Sequence, residues 1–600
     1  MPDKFISERN LKFLLHEVVG AADLCRLPRF ADYDQESFDM MLATALRMAE
    51  ELLFPAFRDM DLNPPELVDG QVRVRPVVRQ FLEAAAEGGW LAATFGYDEG
   101  GMQLPITVNT ACIYAFASAN FPGSAYLGLT TGAARLILSF GSEDLKETYA
   151  PPMLAGKWQG TMALTEPDAG SSLSDVAVAA EPTDQGYYKI SGQKIFISAG
   201  DHDGVDNVVH LMLARIKGAP AGVKGISLFV VPKLRPENGG LAANDLATAG
   251  LFHKLGYRGC PIVQLSMGEE GDCRGWLVGE PNKGLAYMFQ MMNEARIGVG
   301  KQACATATGA YYASLQYAKE RPQGRPVNGK DPNQPPVPII YHPDVKRMLL
   351  LQRSVVEGSL SLILQAGKYA DLAEHGEGAE KERAELLLDL LTPVVKTFPS
   401  EMGVLSTSAA VQILGGYGYT DEFSVEQYFR DMRIHPIHEG TTGIQGMDLL
   451  GRKVPMKNGA GFAAFLEDVR ADLAKAGEKP ELAPYASRLA SEVDLLEKVT
   501  KAKLAQAGQG DAEVFLADAT LYLELFGLVT VAWQWLKQGV AARAGLAAAP
   551  GAERAAFLQG KLVTMRYFFH YELPKTAGLA ARLLEEESVT AHLGEEVFAD

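Results

Sequence analysis

Between about residues 160 and 282 the hydrophobic pattern of this chain has a period of two, and on both sides it returns to a helical period. Residues 186–198 (GYYKISGQKIFIS) alternate and are rich in Tyr and Ile. Residues 207–216 (NVVHLMLARI), 225–232 (GISLFVVP) and 261–267 (PIVQLSM) follow, separated by Gly, Asp and Pro. Short runs joined by such turns read as an antiparallel β domain enclosed by helical blocks.

The first helical block includes SFDMMLATALRMAEELLFPAF and PVVRQFLEAAAEGGWLAATF, with apolar residues at helical spacing. The GSED of residues 141–144 opens a capped helix expected to end near Pro151. The second block starts with a long helix over KGLAYMFQMMNEARIGVGKQACATATGAYYASLQYAKER, ending before Pro322. Seven prolines from Pro322 to Pro343 predict an extended loop. Helices over about 344–374 and 380–415 come next. Residues 456–600 are rich in Ala, Leu and Glu, and breaks near Pro480, 508–510, Pro550 and Pro574 suggest a separate helical bundle.

A length of 600 residues is too great for one core. The expected fold is α+β and multidomain. An N-terminal extension (1–36) leads into an N-terminal helical domain (37–158). A middle antiparallel β domain (159–282), a four-helix-type C-terminal bundle (283–455) and an added helical domain (456–600) follow.

A net charge of −18 leaves no basic surplus for phosphates, which argues against non-specific nucleic-acid binding. Five cysteines with no C-x-x-C pair point to a reducing compartment. The N-terminal MPDKFISERNLKFLL has early acidic residues and no apolar core, unlike a secretory signal, so a cytoplasmic location is expected. The most apolar run, residues 525–536 (LFGLVTVAWQWL), is too short to span a bilayer. It reads as a buried helix, with a peripheral membrane contact as the alternative.

Several segments carry chemistry. In residues 161–175 (TMALTEPDAGSSLSD), hydroxyls and amides on a Pro/Gly turn can hold a planar heterocycle by its edge, and Ser171 can reach a ligand's polar group. By composition alone the segment is a turn. In KIFISAG, Phe196 beside Ser198 can flank a ring, or simply end a strand. Arg296, in Asn293-Glu294-Ala295-Arg296, sits in an apolar helix and needs a phosphate, a carboxylate or a salt bridge to Glu294 or another helix. Residues 412–445 (QILGGYGYTDEFSVEQYFRDMRIHPIHEGTTGIQ) combine a Gly-Gly turn, an Arg-Asp pair, and a carboxylate followed by Gly-Thr-Thr. Gly415 and Gly416 let the backbone approach a ligand closely. No metal site is expected.

Taken together, TEPDAGS, FIS, the NEAR helix, QILGG, YFRDMRI and HEGTT, in that order over about residues 40–452, resemble the acyl-CoA dehydrogenase family. The added C-terminal domain and the stretch SAGDHD (198–203) are similar to its long bacterial branch, which includes 3-methylmercaptopropionyl-CoA and large fatty acyl-CoA dehydrogenases. The resemblance implies FAD as cofactor, an acyl-CoA substrate, an electron-transfer flavoprotein as partner and a homodimer. It implies that Glu439 is the base that removes the α-proton. It further implies flavin contacts from Met162, Thr165, Phe196, Ser198, Arg321, Gln412, Gly415, Gly416, Thr441 and Thr442. Substrate contacts are implied for Ser171, Asn293, Arg296 and Gly440.

Departures from the family pattern are also visible. A phenylalanine is missing after Arg321, which reads Arg321-Pro322-Gln323-Gly324. Gly443 stands where a glutamine is frequent, Ala199 where an asparagine is, and Phe196 where a tryptophan is common. Two other readings remain open at this point. One is a flavin oxidase on the same fold. The other is a flavin-bearing DNA-binding relative, against which the acidic balance and Glu439 weigh.

Overall fold

The computed structural model describes residues 2–329 and 331–600, except the side chains of 289–293. It divides into two compact units. One comprises Ala43–Leu104 and Ala115–Ala295, and the other Met1–Leu42, Pro105–Tyr114 and Arg296–Asp600.

The first unit is built on an eight-stranded sheet. Its order is Leu246–Leu251, Ile262–Met267, Tyr188–Ser198, Arg274–Val278, Ile226–Pro232, Asn207–Ile216 and Trp158–Ala163, with Ala179–Pro182 pairing both Tyr188–Ser198 and Asn207–Ile216. Most pairings are antiparallel, as the turn-linked runs predict. Two are parallel: Trp158–Ala163 and Ala179–Pro182 each run alongside Asn207–Ile216. The chain makes several turns between those strands, which frees it to return in the same direction.

Asn207–Ile216 is buried along most of its length. Strand alternation divides its side chains between two cores. Leu211 and Leu213 join Leu136, Ile137, Leu228 and Val230 on one face. Met212 and Ala214 join Phe229, Val231 and Val263 on the other. A strand covered on both faces reads as a continuous apolar run, which is why NVVHLMLA shows little alternation. Each fully buried Leu or Val contributes about 1.5–3 kcal/mol by leaving water. Helices Phe121–Phe140 and Glu143–Leu154 cover the first face. Gly160 permits that contact, since a Cβ there would lie 2.6 Å from the Cβ of Ala133. The helix capped by Ser142 continues to Leu154, past Pro151 and Pro152, so the proline does not end it as the sequence suggested.

The second unit is helical. Pro343–His375 and Gly378–Leu414 pack along each other. The helix Gly284–Glu320 crosses the latter at Gly300, where a Cβ would meet the Val395 carbonyl oxygen at 2.0 Å. Met456–Gly477, Ala483–Ala507, Ala519–Ala547, Ala552–Tyr567 and Thr576–Leu583 form the added helices. Ala519–Ala547 packs on the two bundle helices, and residues 525–536 are buried there, as the buried-helix reading expected. By length and composition, residues Ala512–Ala547 would pass as a membrane span.

The N-terminal segment folds onto the added helices. The buried Lys561 ammonium bonds Asn10 Oδ1, reaches Glu357 Oε2 at 2.9 Å and Gln538 Oε1 at 3.0 Å, and lies against the ring of Phe13. Arg353 completes the cluster, with Nε 2.9 Å from Glu357 Oε1.

Candidate active site

Glu439 stands in the turn between helices Val425–Met432 and Thr442–Asp448. Its φ is +53°, and Gly440 follows at +89°. A left-handed non-glycine residue costs about 1–3 kcal/mol and persists only when its surroundings hold it.

Those surroundings come largely from the short helix that follows. Thr441 caps it, its Oγ1 accepting from the Ile444 N–H at 3.4 Å. The Thr442 N–H donates to the Pro436 carbonyl at 3.1 Å, and its hydroxyl bonds Glu401. The buried Gln445 Nε2 donates to the carbonyls of Glu439 at 3.3 Å and Gly440 at 3.5 Å. Asp448 accepts from Arg296 Nη1 at 2.7 Å, a buried pair whose Arg296 Nε has no partner among the described residues. Arg296 thus takes the interhelical salt bridge weighed from the sequence, and Glu294 instead lies 3.8 Å from Arg135. The side chain of Asn293 lies outside the described residues.

The electrostatics centre on Lys396. It is fully buried in Gly378–Leu414, and its Nζ donates to the His435 carbonyl at 2.7 Å. Burial pulls its pKa down to about 8, against the carboxylates of Glu401 and Glu439. Burial pushes the half-buried Glu439 carboxyl above its ordinary range, while the Lys396 and Arg296 cations act in the opposite sense. No hydrogen bond reaches that carboxylate from the described residues, which leaves it able to accept a proton from a ligand. Burial holds His435 and His438 neutral, the latter down to about 3, so neither adds a cation.

The helix Gly378–Leu414 ends at Gly415, whose φ of +60° and ψ of −132° suit glycine alone. A Cβ at Gly415 or Gly416 would meet nothing within 4 Å, so the turn presents bare backbone to open space beside the exposed Gln412. Arg321 is exposed at the end of Gly284–Glu320. The Pro-rich loop after it is tied back on itself. Ile339 N–H donates to the Arg321 carbonyl, Gln323 N–H to that of Val337, and Val337 N–H to that of Gly324, all at 2.9–3.0 Å.

In the β-sheet unit, Met162 lies on the edge strand Trp158–Ala163 and Thr165 just past its end. The Thr165 carbonyl accepts from Ile195 N–H at 2.9 Å. Beneath this turn the buried Glu166 meets Lys194 Nζ at 2.7 Å and accepts the N–H groups of Ala177 and Val178, while Lys194 also donates to the Leu164 carbonyl. The pair pins TEPDAGS to the strand that carries Phe196 and Ser198. Phe196 has φ +57°, is 56% exposed, and rests on Phe252 with centroids 4.7 Å apart. Ser198 closes the strand opposite Ile262. Ser171 is exposed.

The stretch SAGDHD is structural in this unit. Asp201 takes Lys233 and Thr248, His202 faces Gln159 at 3.3 Å, and Asp203 accepts the Val74 N–H at 2.9 Å.

Sequence reasoning did not find Lys396, Gln445, Asp448, Glu166 or Lys194. The available signal was a lone charge in each of two apolar runs, VVKTF and KIFIS.

Models of the acyl-CoA dehydrogenase N-terminal, middle and C-terminal domains match residues 35–157, 161–269 and 282–454. The 3-methylmercaptopropionyl-CoA dehydrogenase of Ruegeria pomeroyi is 38% identical over 582 residues, 96% of this chain and 97% of that one. This chain belongs to the acyl-CoA dehydrogenase family. Residues 465–593, the added helices, match the model described as acetyl-CoA dehydrogenase C-terminal like. A second acyl-CoA dehydrogenase relative, the broad-specificity linear acyl-CoA dehydrogenase FadE5 of Mycobacterium tuberculosis, is 33% identical, covering 94% of this chain and 95% of its own. The acyl-CoA dehydrogenase fold also appears in solved structures. Caenorhabditis elegans ACDH-11, in complex with C11-CoA, superposes with a TM-score of 0.76 at 21% identity, covering 94% of this chain and 91% of that one. The Bacillus anthracis acyl-CoA dehydrogenase complexed with FAD gives 0.74 at 19%, covering 98% and 93%.

Proposed function

We propose that this chain is an FAD-dependent acyl-CoA dehydrogenase that converts an acyl-CoA thioester to the trans-2-enoyl-CoA, with Glu439 as base. The observation that carries this reading is Glu439 itself. Its carboxyl is raised by burial, is free of hydrogen bonds from the described residues, and sits on a turn held by two neighbouring helices.

The α-proton of a thioester is weakly acidic, so a carboxylate needs a raised pKa and stabilisation of the developing enolate oxygen. Burial supplies the first. The Glu439 backbone N–H is the donor this chain offers for the second. The Lys396 and Arg296 cations act against burial and favour the ionised carboxyl. Flavin, when bound, accepts the β-hydrogen as hydride. Phe196, Ser198, Met162 and Thr165 would hold its ring, and Gln412, Gly415, Gly416, Arg321, Thr441 and Thr442 the remainder. Ser171, Asn293, Arg296 and Gly440 would serve the acyl-CoA, although in Arg296 the Asp448 pair leaves only part of the guanidinium for a ligand.

Electrons then pass to an electron-transfer flavoprotein. The relatives favour a fatty acyl or a 3-methylmercaptopropionyl group. The test is anaerobic mixing with a panel of acyl-CoAs, from short and thioether-containing to long-chain. Bleaching of the flavin by at least one of them, with slow reoxidation in air, is the expected result. Rapid reoxidation by oxygen would assign an oxidase instead, and no bleaching by any acyl-CoA would remove the reading.

A further inference from the structure

We infer that Gln445 is a positioning residue for the base, and that the added C-terminal helices hold it in place through Gly446. This inference rests on the reading of Glu439 given above. Three observations carry it.

The first is the amide contact. Gln445 is fully buried, and its Nε2 donates to the carbonyls of both left-handed residues, Glu439 and Gly440. A carbonyl held by a side-chain amide fixes the peptide plane, and with it the direction in which the Glu439 side chain leaves the backbone. Gln445 Oε1 has no partner among the described residues, so the amide's polar contacts are directed to this turn.

The second is the fit. A Cβ on Gly440 would lie 2.4 Å from Gln445 Nε2. The φ of +89° favours glycine at 440, and a Cβ there would also displace the Gln445 amide.

The third is what stands behind Gln445. Gly446, next in sequence, lies directly on the start of helix Ala519–Ala547. A Cβ there would be 2.8 Å from the carbonyl atoms of Ala519 and 2.9 Å from Thr520 N. Backbone cannot yield as a flexible side chain can. The helix Thr442–Asp448 is thus clamped between Arg296, which holds Asp448, and the added bundle, which meets Gly446. The added domain then has a catalytic consequence without contributing a reacting group.

Two variants test this. Gln445→Met keeps size and burial but removes the donor, and Gly446→Ala keeps the amide but pushes the helix off the added bundle. Both should retain flavin and bind a non-reducible acyl-CoA analogue, read by perturbation of the flavin spectrum, within about threefold of the parent. Both should slow single-turnover bleaching about 10- to 100-fold, the scale of a misplacement near 1 Å at the reacting atoms. Because Gln445 acts through Glu439, the double variant Gln445→Met/Glu439→Gln should bleach no more slowly than Glu439→Gln alone.

Parental bleaching in Gln445→Met overturns the inference, as does a further loss in the double variant. If Gln445→Met does not fold, parental bleaching in Gly446→Ala overturns it. Parental turnover in Glu439→Gln would instead overturn the assignment of the base, so the two failures are distinct.

Discussion

Arg296 and Asp448 form a buried ion pair, Nη1 to Oδ2 at 2.7 Å, that ties the long helix Gly284–Glu320 to the short helix following the candidate base. Asp448 also accepts from Arg452, 2.5 Å away. Both carboxylate oxygens are thereby occupied, and both cations pull the Asp448 carboxyl below its usual range against burial. An arginine that could have waited for a ligand is instead largely committed to holding the helix beside the candidate base.

Asp448→Ala leaves the Arg296 guanidinium buried without a counter-charge. Breaking one half of such a pair costs about 3–5 kcal/mol. A clear fall in the thermal unfolding midpoint, followed by circular dichroism, is expected, and an unchanged midpoint would show that the guanidinium finds another partner.

Glu439→Gln should keep the yellow flavin and bind acyl-CoA, yet lose at least about a thousandfold in the rate of flavin bleaching, the scale of losing a positioned base. Stopped-flow absorbance measures it. A near-parental rate would place the base elsewhere.

Lys396→Met alters the pH dependence. Burial raises the Glu439 pKa, and the Lys396 and Arg296 cations oppose it, with Glu401 beside Lys396 and His435 and His438 neutral. Burial already outweighs the two cations, and removing one of them leaves it less opposed, so Glu439 holds its proton to still higher pH. The ascending limb of the bleaching rate against pH should therefore move to higher pH. A shift to lower pH contradicts the charge argument.

Phe196→Ala removes an exposed ring that rests on Phe252. Ring pairs contribute about 0.5–1.5 kcal/mol beyond their area, so flavin should be held about tenfold more weakly. Fluorescence titration of the apoprotein with FAD gives the comparison, and equal affinity would dissociate Phe196 from the cofactor.

Lys561→Met empties the cation from the cluster of Asn10, Glu357 and Gln538. Burial works to raise the Glu357 pKa, and the Arg353 and Lys561 cations more than offset it, leaving it lowered. A depressed carboxylate stabilises the folded state above its unfolded pKa and loses that contribution as pH falls. The variant should be less stable by about 3 kcal/mol at neutral pH, with the deficit shrinking in acid. Denaturant midpoints across pH report it, and a deficit that grows in acid would reverse the sign.

The helical blocks and most strands were legible because burial of one face imposes a period that the residues display. The parallel pairings were not, since pairing direction depends on where the chain returns and leaves no local trace. Glu439 was legible only in company. EGT alone is a loop, and the role proposed for it came from TEPDAGS, FIS and HEGTT occurring in order. The partner of Arg296 was one of several candidates, because Asp448 lies 152 positions away. Lys396 and Gln445 were passed over because a lone polar residue in a helix shows its purpose only once a carbonyl is seen at the end of its side chain.

The sequence by itself determined the order of the helical and β blocks and the family, and it singled out Glu439 as the candidate carboxylate, since each is written in local period or in motif. Only the tertiary structure decided what sets that carboxylate's backbone and charge: Gln445 on its carbonyl, Lys396 beneath its turn, and the added helices behind Gly446. Those contacts join segments far apart in the chain, and burial and close packing act on distance in space, which the linear order does not record.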